Sequence, residues 1–286
     1  MTSQAETFAA LQRYGEGAKL LAGGQSLVPA LNLRLLSPAI LIDINDVDEL
    51  KGISLRANKL RIGALTRHAE IERAALIAEH APLLKEAARH IAHPAIRNRG
   101  TMGGSLVNAD PASELPACMV ALGAEIVLAS AAGERRVPGG DFFTGLYETA
   151  IAPGEILTAV EIPIARQNER YVFMELARRV GDYALVGIAC QAEVVDNVLH
   201  DLKPAFFAVG TRPILASAAA TRIIGRQIDA ACLEEAAAAL DEELAPINDL
   251  QASAAMRMHL ARVLLRRAVA ALLPELQHCL QTAARA

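Results

Sequence analysis

The sequence predicts an α+β protein built from more than one unit, and two observations lead to this prediction. In the first 165 residues, short apolar strands alternate with helical patterns and glycine turns. From residue 171 onward, longer strands come first and alanine-rich helical segments follow them. Strands grouped before helices are typical of an antiparallel sheet packed against helices. A length of 286 residues agrees with about two domains.

The first predicted unit covers residues 1–55. An apolar segment runs into the glycine turn Gly23-Gly24, and a helical pattern follows the turn. A second apolar segment, flanked by proline and asparagine, is typical of a buried strand. The predicted elements are helices over 4–14 and 27–36 and strands over 19–22 and 39–44.

The second predicted unit covers residues 56–168 and contains another glycine turn, Gly103-Gly104. Asp110-Pro111 follows this turn and is expected to begin a helix, with aspartate as the N-cap and proline as the first helical residue. A hairpin is expected between 125 and 137. The other predicted elements are strands over 59–65 and 156–162 and helices over 67–75, 82–92 and 111–122.

The third predicted unit covers residues 169–286. Three long apolar segments separated by short turns predict an antiparallel sheet, and the turn Asp196-Asn197 joins the last two. The alanine-rich remainder predicts helices packed against that sheet. The predicted strands cover 171–177, 186–195 and 199–209, and the predicted helices cover 213–223, 229–243 and 251–273.

Composition and charge exclude several classes of function. The chain has 28 basic and 32 acidic residues, a formal net charge of -4 and no tryptophan, so nucleic acid is not an expected partner. The longest uncharged segment, residues 20–33, is too short and too polar to span a membrane, and no secretory signal precedes it. We therefore expect a cytoplasmic protein. The scattered cysteines are expected to be buried apolar residues rather than metal ligands: Cys118, Cys190, Cys232 and Cys279.

The two glycine turns resemble each other and are the strongest candidates for a binding site. Ala22-Gly-Gly-Gln-Ser-Leu27 and Thr101-Met-Gly-Gly-Ser-Leu106 both lie between an extended segment and a helix. Glycine tolerates positive φ, and successive backbone N–H groups in such a turn can surround a phosphate. Neither turn has the spacing of a Walker A or Rossmann motif. Ordinary loop geometry and phosphate binding therefore both remain open at this point.

A few other polar residues have alternative interpretations. His90 and His93 can share one helical face as metal ligands, but two histidines at a helix end are an ordinary feature, and no third ligand is evident. Arg97, Asn98 and Arg99 either contact phosphate or hold the loop that presents Thr101. Asp43 ends a buried strand and is expected to be structural.

Motifs along essentially the whole chain occur in the same order as in a known family. The segments are these: Ala22-Gly-Gly-Gln-Ser26, Asn32-Leu-Arg-Leu, His93-Pro-Ala-Ile-Arg-Asn-Arg-Gly-Thr101-Met-Gly-Gly-Ser-Leu-Val-Asn-Ala-Asp-Pro111, Phe142-Phe143-Thr-Gly, Glu155-Ile156-Leu157, Ile162-Pro163 and Arg178-Arg179-Val-Gly-Asp-Tyr183-Ala. Together they resemble the FAD-binding medium subunit of molybdenum hydroxylases, a family that includes the medium chains of carbon monoxide dehydrogenases and the flavin domain of xanthine dehydrogenase.

The resemblance implies a two-lobed FAD-binding domain, of the vanillyl-alcohol-oxidase-like type, followed by a C-terminal α+β domain. It implies that the first turn surrounds the pyrophosphate, that the second forms the opposite wall, and that Glu114 contacts the sugar or ribityl part of FAD. Ser105 and Glu114 depart from the more common asparagine and aspartate, and Tyr183 is expected to lie against the isoalloxazine ring. The implied FAD-binding residues are Ala22, Gly23, Gly24, Gln25, Ser26, Leu27, Ile91, Thr101, Gly103, Gly104, Ser105, Asp110, Glu114, Ile156, Leu157 and Tyr183.

The resemblance further implies an electron-transfer role within a larger oxidoreductase. Electrons would pass from [2Fe-2S] clusters on a small subunit through FAD to an external acceptor, after a molybdopterin-containing large subunit has hydroxylated the substrate. The implied assembly is a dimer of heterotrimers. Two alternatives remain: a self-sufficient FAD-dependent oxidoreductase, for which the sequence shows no convincing base near the flavin, and a non-redox nucleotide-binding module.

Overall fold

The computed structural model describes residues 1–274. Within them helices and strands are mixed, and the four-stranded sheet near the C-terminus is antiparallel, which confirms the α+β prediction. Cys118, Cys190 and Cys232 are buried and free, as expected. Cys279 and the end of the third predicted unit lie outside the described residues.

The N-terminal lobe is a small layer of two parallel strands covered by a helix. Strand β1 pairs with β2 in parallel, with Ala18 opposite Ile40. The helix after the glycine turn ends at Asn32 rather than near residue 36, because Arg34 adopts a left-handed conformation (φ 57°) that stops helix growth. The elements are α1 (Gln4–Tyr14), β1 (Ala18–Leu21), α2 (Leu27–Asn32) and β2 (Ile40–Asp43).

A five-stranded antiparallel sheet forms the centre of the next part, with the strand order β3-β4-β9-β5-β6. The predicted hairpin is present as β5 and β6. Strand β3 pairs with β4, so the predicted boundary after residue 55 cuts a strand that belongs to this sheet. The strands are β3 (Ile53–Arg56), β4 (Lys59–Gly63), β5 (Glu125–Ser130), β6 (Gly133–Pro138), β7 (Phe143–Gly145), β8 (Glu148–Thr149) and β9 (Ile156–Pro163).

Short helices cover this sheet. The helix predicted over 67–75 ends at Arg73, since Ala74 is extended, and another helix follows. The prediction that Asp110 and Pro111 begin a helix is wrong: Ser113 is the N-cap, and the Asp110 carboxylate accepts a bond from the amide of Ala112 in a turn before the helix. The helices are α3 (His68–Arg73), α4 (Ala75–His80), α5 (Pro82–His90), α6 (Pro94–Arg97), α7 (Met102–Asn108), α8 (Glu114–Ala121) and α9 (Gly139–Phe142).

The C-terminal part is a four-stranded antiparallel sheet with helices on one side. Its strand order, β10-β11-β12-β13, follows the chain. The three long strands occur where the sequence predicts them, because each has an apolar face that packs into a core. The elements are β10 (Glu169–Ala177), β11 (Ala184–Val195), β12 (Val198–Phe207), β13 (Ile214–Leu215), α10 (Ser217–Thr221), α11 (Ala230–Ala239) and α12 (Ala254–Leu272).

Helix α8 joins the two larger sheets through one apolar core. Every residue from Leu115 to Ala121 is buried, as expected for a helix that is apolar on all sides. The same core contains Ile126 of the five-stranded sheet and Phe207 of the four-stranded sheet. The two parts are therefore packed as one body around α8. No helix within residues 1–274 is long and apolar enough to cross a bilayer.

Candidate functional site

The first glycine turn presents backbone donors that the chain itself does not use. Gly24 has a φ of 73°, a conformation that favours glycine. Within residues 1–274, the amides of Gly23, Gly24, Gln25 and Ser26 donate no hydrogen bond. The carbonyl oxygens of Gly24 and Ser26 accept bonds from the following helix. Four consecutive N–H groups without an acceptor in the described residues are available to bind an anionic group such as a phosphate.

The second glycine turn is different, because its amides are already bonded. Met102 donates to the carbonyl of Thr66 (2.9 Å) and Gly103 to that of Ala64 (2.8 Å). Gly104 donates to the Thr101 hydroxyl (3.1 Å). The hypothesis that both turns offer free amides therefore holds only for the first.

Glycine in the second turn has a packing role. A Cβ added to Gly103 would lie 2.8 Å from that of Ala64, so this position needs a residue without a side chain. Gly104 is exposed, and a Cβ there would lie 2.7 Å from the Thr101 hydroxyl oxygen, to which the Gly104 amide donates. Ser105 faces Ser113, with 2.9 Å between their hydroxyl oxygens.

The two turns are held against each other by a polar cluster that the sequence analysis missed. A Cβ on Gly23 would lie 2.9 Å from Cα of Gly100, so the backbones are in close contact. The Arg67 guanidinium donates to the carbonyl of Arg99 and to Oδ1 of Asn45, the latter at 2.8 Å. Asn45 in turn donates to the carbonyl of Ala22 (2.9 Å). One arginine and one asparagine therefore fix the position of the first turn relative to the second.

Arg97 holds the connecting loop rather than standing free for a ligand. Its Nε lies 2.9 Å from the Glu72 carboxylate, and its Nη1 donates to the carbonyl of Ile91 at 3.0 Å. Of the two alternatives for this basic segment, the geometry favours loop positioning for Arg97.

His68 supports the second turn from below. Its Nε2 lies 2.9 Å from the carbonyl of Thr101, and Gly100 packs against its ring. Burial, followed by the positive charges of Arg67 and Arg97, lowers the pKa of His68 to about 4. The imidazole is therefore neutral at pH 7 and donates from Nε2. A histidine just after a buried strand gives no signal in the sequence that separates it from a surface residue.

Ionisable side chains gather around the start of α8. Burial, followed by the charge of Glu175 and then that of Asp110, raises the pKa of Glu114 to about 8. His90 lies beside Glu175, with 3.3 Å between Nδ1 and Oε1, and this bond is the main reason that the pKa of His90 is raised. His93 instead precedes α6 as its N-cap residue. No group of three or more metal-ligating side chains occurs within residues 1–274.

Two tyrosines lie beside these carboxyl groups. Tyr183 is 61% exposed; partial burial, followed by the charges of Asp110 and Glu114, raises the pKa of its phenol. Tyr147, which the sequence analysis missed, donates to the Asp110 carboxylate at 3.3 Å. Burial and Asp110 raise the pKa of Tyr147 to about 12. Its φ of 56° is unusual for a non-glycine residue and is typical of functional sites.

The remaining predicted residues lie mostly in apolar cores. Ile91 and Leu157 are buried in the core around α8, and Ile156 is buried in the core of the N-terminal lobe. Leu27 begins α2 and is half-buried. The structure therefore brings together the first turn with the second, and Asp110 with Glu114 and Tyr183, while the side chains of Ile91, Ile156 and Leu157 serve packing.

Two family models match this chain, one in each half. Residues 1–165 match the family model described as the FAD binding domain in molybdopterin dehydrogenase. Residues 171–272 match the CO dehydrogenase flavoprotein C-terminal domain. The glyceraldehyde dehydrogenase medium chain of Sulfolobus acidocaldarius is 36% identical over 253 residues, covering 88% of this chain and 90% of the relative.

Two carbon monoxide dehydrogenases are similar to about the same degree. The medium chain from Afipia carboxidovorans is 36% identical over 267 residues, which is 93% of each chain. A solved structure of the Hydrogenophaga pseudoflava enzyme that lacks the Mo-pyranopterin moiety of its molybdenum cofactor has a TM-score of 0.92 and 33% identity over 94% of each chain. Both family models and these relatives span nearly the full length described. The chain therefore belongs to the family of FAD-binding medium subunits of molybdenum hydroxylases, and its cofactor is FAD.

Proposed function

We propose that this chain passes electrons from the [2Fe-2S] clusters of a partner subunit through FAD to an external acceptor. The observation that carries the proposal is the set of four free amides in residues 23–26, which fits a pyrophosphate held without positively charged side chains. FAD accepts electrons singly and releases them as a pair, so it suits the junction between one-electron clusters and a two-electron acceptor.

The proposed FAD site has a phosphate end and a flavin end. At the phosphate end the turn Ala22–Leu27 binds the pyrophosphate, and Gly104 and Ser105 form the open wall opposite. At the flavin end, Tyr183 offers its exposed ring for stacking. Thr101 with Gly103 and Asp110 with Glu114 are proposed to shape the site between these ends. Ile91, Ile156 and Leu157 are proposed to support it from the cores in which their side chains are buried.

The proposed partners are a molybdopterin-containing large subunit and a [2Fe-2S] small subunit, assembled as a dimer of heterotrimers. Two relatives are named as medium chains, which describes them as parts of larger enzymes. The N-terminal lobe also exposes a row of apolar side chains, with Leu33 71% and Leu35 72% exposed. Such a surface is typical of subunit contacts. A cytoplasmic location stays a prediction.

The substrate is chosen elsewhere in the proposed complex. The similar medium chains carry the names of enzymes for glyceraldehyde and for carbon monoxide, two chemically different substrates, at the same 36% identity. Because this chain is equally similar to medium chains of enzymes for two different substrates, its similarity to them does not indicate a substrate. We infer that the large subunit selects it.

A self-sufficient FAD-dependent oxidoreductase is the second candidate, and one observation favours it. Such an enzyme needs a proton-handling group near the flavin. Beside the proposed flavin end, burial raises the pKa of Glu114 to about 8, and the bond to Glu175 raises the pKa of His90. The third alternative, a non-redox nucleotide-binding module, disagrees with the membership of an oxidoreductase family.

Co-purification tests the proposal. The chain isolated from its native source is expected to carry iron and molybdenum with it, and its flavin is expected to be reduced by the substrate only in that complex. The isolated, FAD-loaded chain serves as the control. Reduction of that isolated chain by a small organic substrate would instead support the self-sufficient enzyme.

A further inference from the structure

Four ionisable side chains from separate elements meet at the first turn of α8. Glu114 begins this helix, Asp110 precedes it, His90 ends α5 and Glu175 lies in β10. None of these positions was singled out by the sequence as a connected group. The pKa values of Glu114 and His90 are raised, and ionisable groups with shifted pKa values that gather at one place are typical of functional sites.

His90 and Glu175 connect the surface with the interior. Nδ1 of His90 lies 3.3 Å from Oε1 of Glu175. The His90 side chain is 39% exposed, whereas that of Glu175 is 7% exposed. His90 is therefore open to water, and Glu175 is the next acceptor inward.

Glu175 has a second oxygen that is not satisfied. Its Oε2 is buried and has no hydrogen-bond partner within residues 1–274. A buried carboxylate oxygen without a partner is costly, so this atom is suited to accept a proton or a protonated group. Glu114 is close enough for the charge of Glu175 to act on its carboxyl group.

Glu114 is the inner end of this series and borders the proposed cofactor site. The neighbouring Ser113 hydroxyl lies 2.9 Å from that of Ser105 in the second glycine turn. The charge of Glu114 also acts on Tyr183, the residue proposed to stack on the flavin. His90 is thus at the solvent side of this cluster, and Glu114 is at the side that borders the site.

Electrons that arrive singly from metal clusters arrive without protons. Each one adds negative charge to a partly buried site, where charge is unfavourable unless it is compensated. We propose that His90, Glu175 and Glu114 form a proton path from solvent to the FAD site, with Glu114 as the group that holds the proton next to the cofactor. This inference rests on the proposed function, since the path is needed where electrons come from a partner subunit.

Each step on the path is a proton transfer between named groups. The Glu114 carboxyl gives its proton to the cofactor site and becomes a carboxylate. The His90 imidazolium protonates the Glu175 carboxylate across their 3.3 Å contact. The protonated Glu175 then passes this proton to Glu114, and water reprotonates His90. One proton enters from solvent for each proton delivered, and the electrons come from the partner's clusters.

The pH range of the effect follows from the groups around Glu114. These are Asp110, Cys118, His90, Glu175 and Tyr183. Burial and the two carboxylates keep Glu114 protonated below about pH 8. Reduction adds negative charge nearby and raises the pKa of Glu114 further, so above about pH 8 reduction is accompanied by proton uptake at this residue.

The equilibrium part of the proposal is tested by the midpoint potential of bound FAD as a function of pH, measured on the full chain by chemical titration. One additional proton per two electrons steepens the slope by about 30 mV per pH unit. We expect the additional slope above about pH 8 in the parent and its loss in Glu114→Gln. Equal slopes in both proteins would overturn the assignment of Glu114.

An infrared measurement gives a readout that does not depend on turnover. The band of a protonated carboxyl is expected in the oxidised, FAD-loaded chain at pH 7, and it should be missing in Glu114→Gln. If the band is unchanged in the variant, another group holds the proton and the proposal fails.

The path itself is tested by the rate of flavin reduction with a one-electron chemical reductant. His90→Gln is expected to slow reduction several-fold, to leave the midpoint potential unchanged and to regain the rate when imidazole is added to the solution. His80→Gln is the matched control, because His80 also lies beside a glutamate, Glu79, at a helix end. An unaffected rate in His90→Gln, or an equal loss in His80→Gln, would overturn the path.

These measurements distinguish the inference from the proposed function. They use a chemical reductant, so they succeed or fail whether or not a partner subunit supplies the electrons. If iron and molybdenum do not co-purify with the chain, the proposed function is wrong. If Glu114→Gln has no effect in a chain that binds FAD, only the proton path is wrong.

Discussion

The two glycine turns have nearly the same sequence and do different physical work. In the first, the amides of residues 23–26 point to no acceptor in the described chain, and Gly24 has positive φ. In the second, the amides of Met102, Gly103 and Gly104 are all bonded internally. Glycine thus provides donors in one turn and close packing in the other, and a shared motif does not imply a shared mechanism.

The largest effect is expected at Gly103, where the packing role of the second turn predicts a loss of fold stability. Gly103→Val would place side-chain atoms against Ala64, with Cβ already 2.8 Å away, and would break the close packing of α7 on the sheet. We expect a loss of about 3 kcal/mol in the free energy of unfolding, the upper end of the usual cost of overpacking. Denaturant unfolding of the FAD-free chain measures this. Gly140→Val is the control, since a Cβ at Gly140 meets nothing within 4 Å; similar losses in both variants would contradict the packing role.

Acid is expected to weaken the second turn before the first. An unfolded chain protonates His68 below pH 6.5, whereas the folded chain resists protonation down to about pH 4. Stability from this group is therefore present above pH 6.5 and is lost as the pH falls toward 4, by roughly 2 to 3 kcal/mol. The difference between the parent and His68→Gln in urea unfolding at several pH values measures it. A pH-independent difference would contradict the buried neutral imidazole.

The first turn is expected to respond in cofactor affinity more than in stability. Gly24→Val puts a branched side chain on a backbone with φ 73° and blocks the approach of a phosphate to the amides. The left-handed backbone alone costs about 1 to 2 kcal/mol, and we expect the affinity for FAD to fall by a further ~10-fold or more. Titration with FAD measures the change in affinity, and calorimetry of the FAD-free chain measures the change in stability.

Gly154→Val is the matched control for Gly24→Val. Gly154 also has positive φ, at 81°, and a Cβ there meets nothing within 4 Å. This variant should lose the stability that the positive φ costs, without the 3.2 Å contacts that a Cβ at Gly24 makes with Leu21 and Val28, and it should keep its affinity for FAD. Equal affinity in Gly24→Val and the parent would remove residues 22–27 from the site.

The smallest effect is expected at Tyr183, which tests whether the flavin end is independent of both turns. Tyr183→Phe keeps the aromatic face and should be nearly silent. Tyr183→Ala should shift the flavin spectrum and change the ratio of redox states by up to about tenfold, because stacking contributes ~0.5 to 1.5 kcal/mol. FAD should remain bound in both. If Tyr183→Phe changes the flavin spectrum and the ratio of redox states as much as Tyr183→Ala does, the hydroxyl group is required and the stacking role is wrong.

Most of the fold was predictable because it depends on local patterns. The long strands of the C-terminal sheet and the hairpin of β5 and β6 follow from alternating apolar residues and turn residues. The start of α8 was missed, because Asp110 and Ser113 are both good N-caps and the choice depends on tertiary packing. The break between α3 and α4 at Ala74 has no local signal either.

The candidate site was predictable only where one segment forms it. The first turn is such a segment. Asn45 and Arg67, which hold the turns together, are 22 residues apart and meet only in the folded chain. Tyr147 likewise reaches Asp110 across 37 residues. Single-sequence patterns describe neighbours along the chain, and these contacts are between elements.

The core shared around α8 has a consequence for how this polypeptide can be divided. Phe207 from the C-terminal sheet packs in the same core as Ile126 and Leu115. Along the chain, β9 of the five-stranded sheet is followed by β10 of the four-stranded sheet, and residues 166–168 between them are exposed. A protease that cuts this exposed link should leave two fragments that stay associated. Either fragment made alone would expose its half of the core, so the halves are expected to regain solubility only when they are produced together.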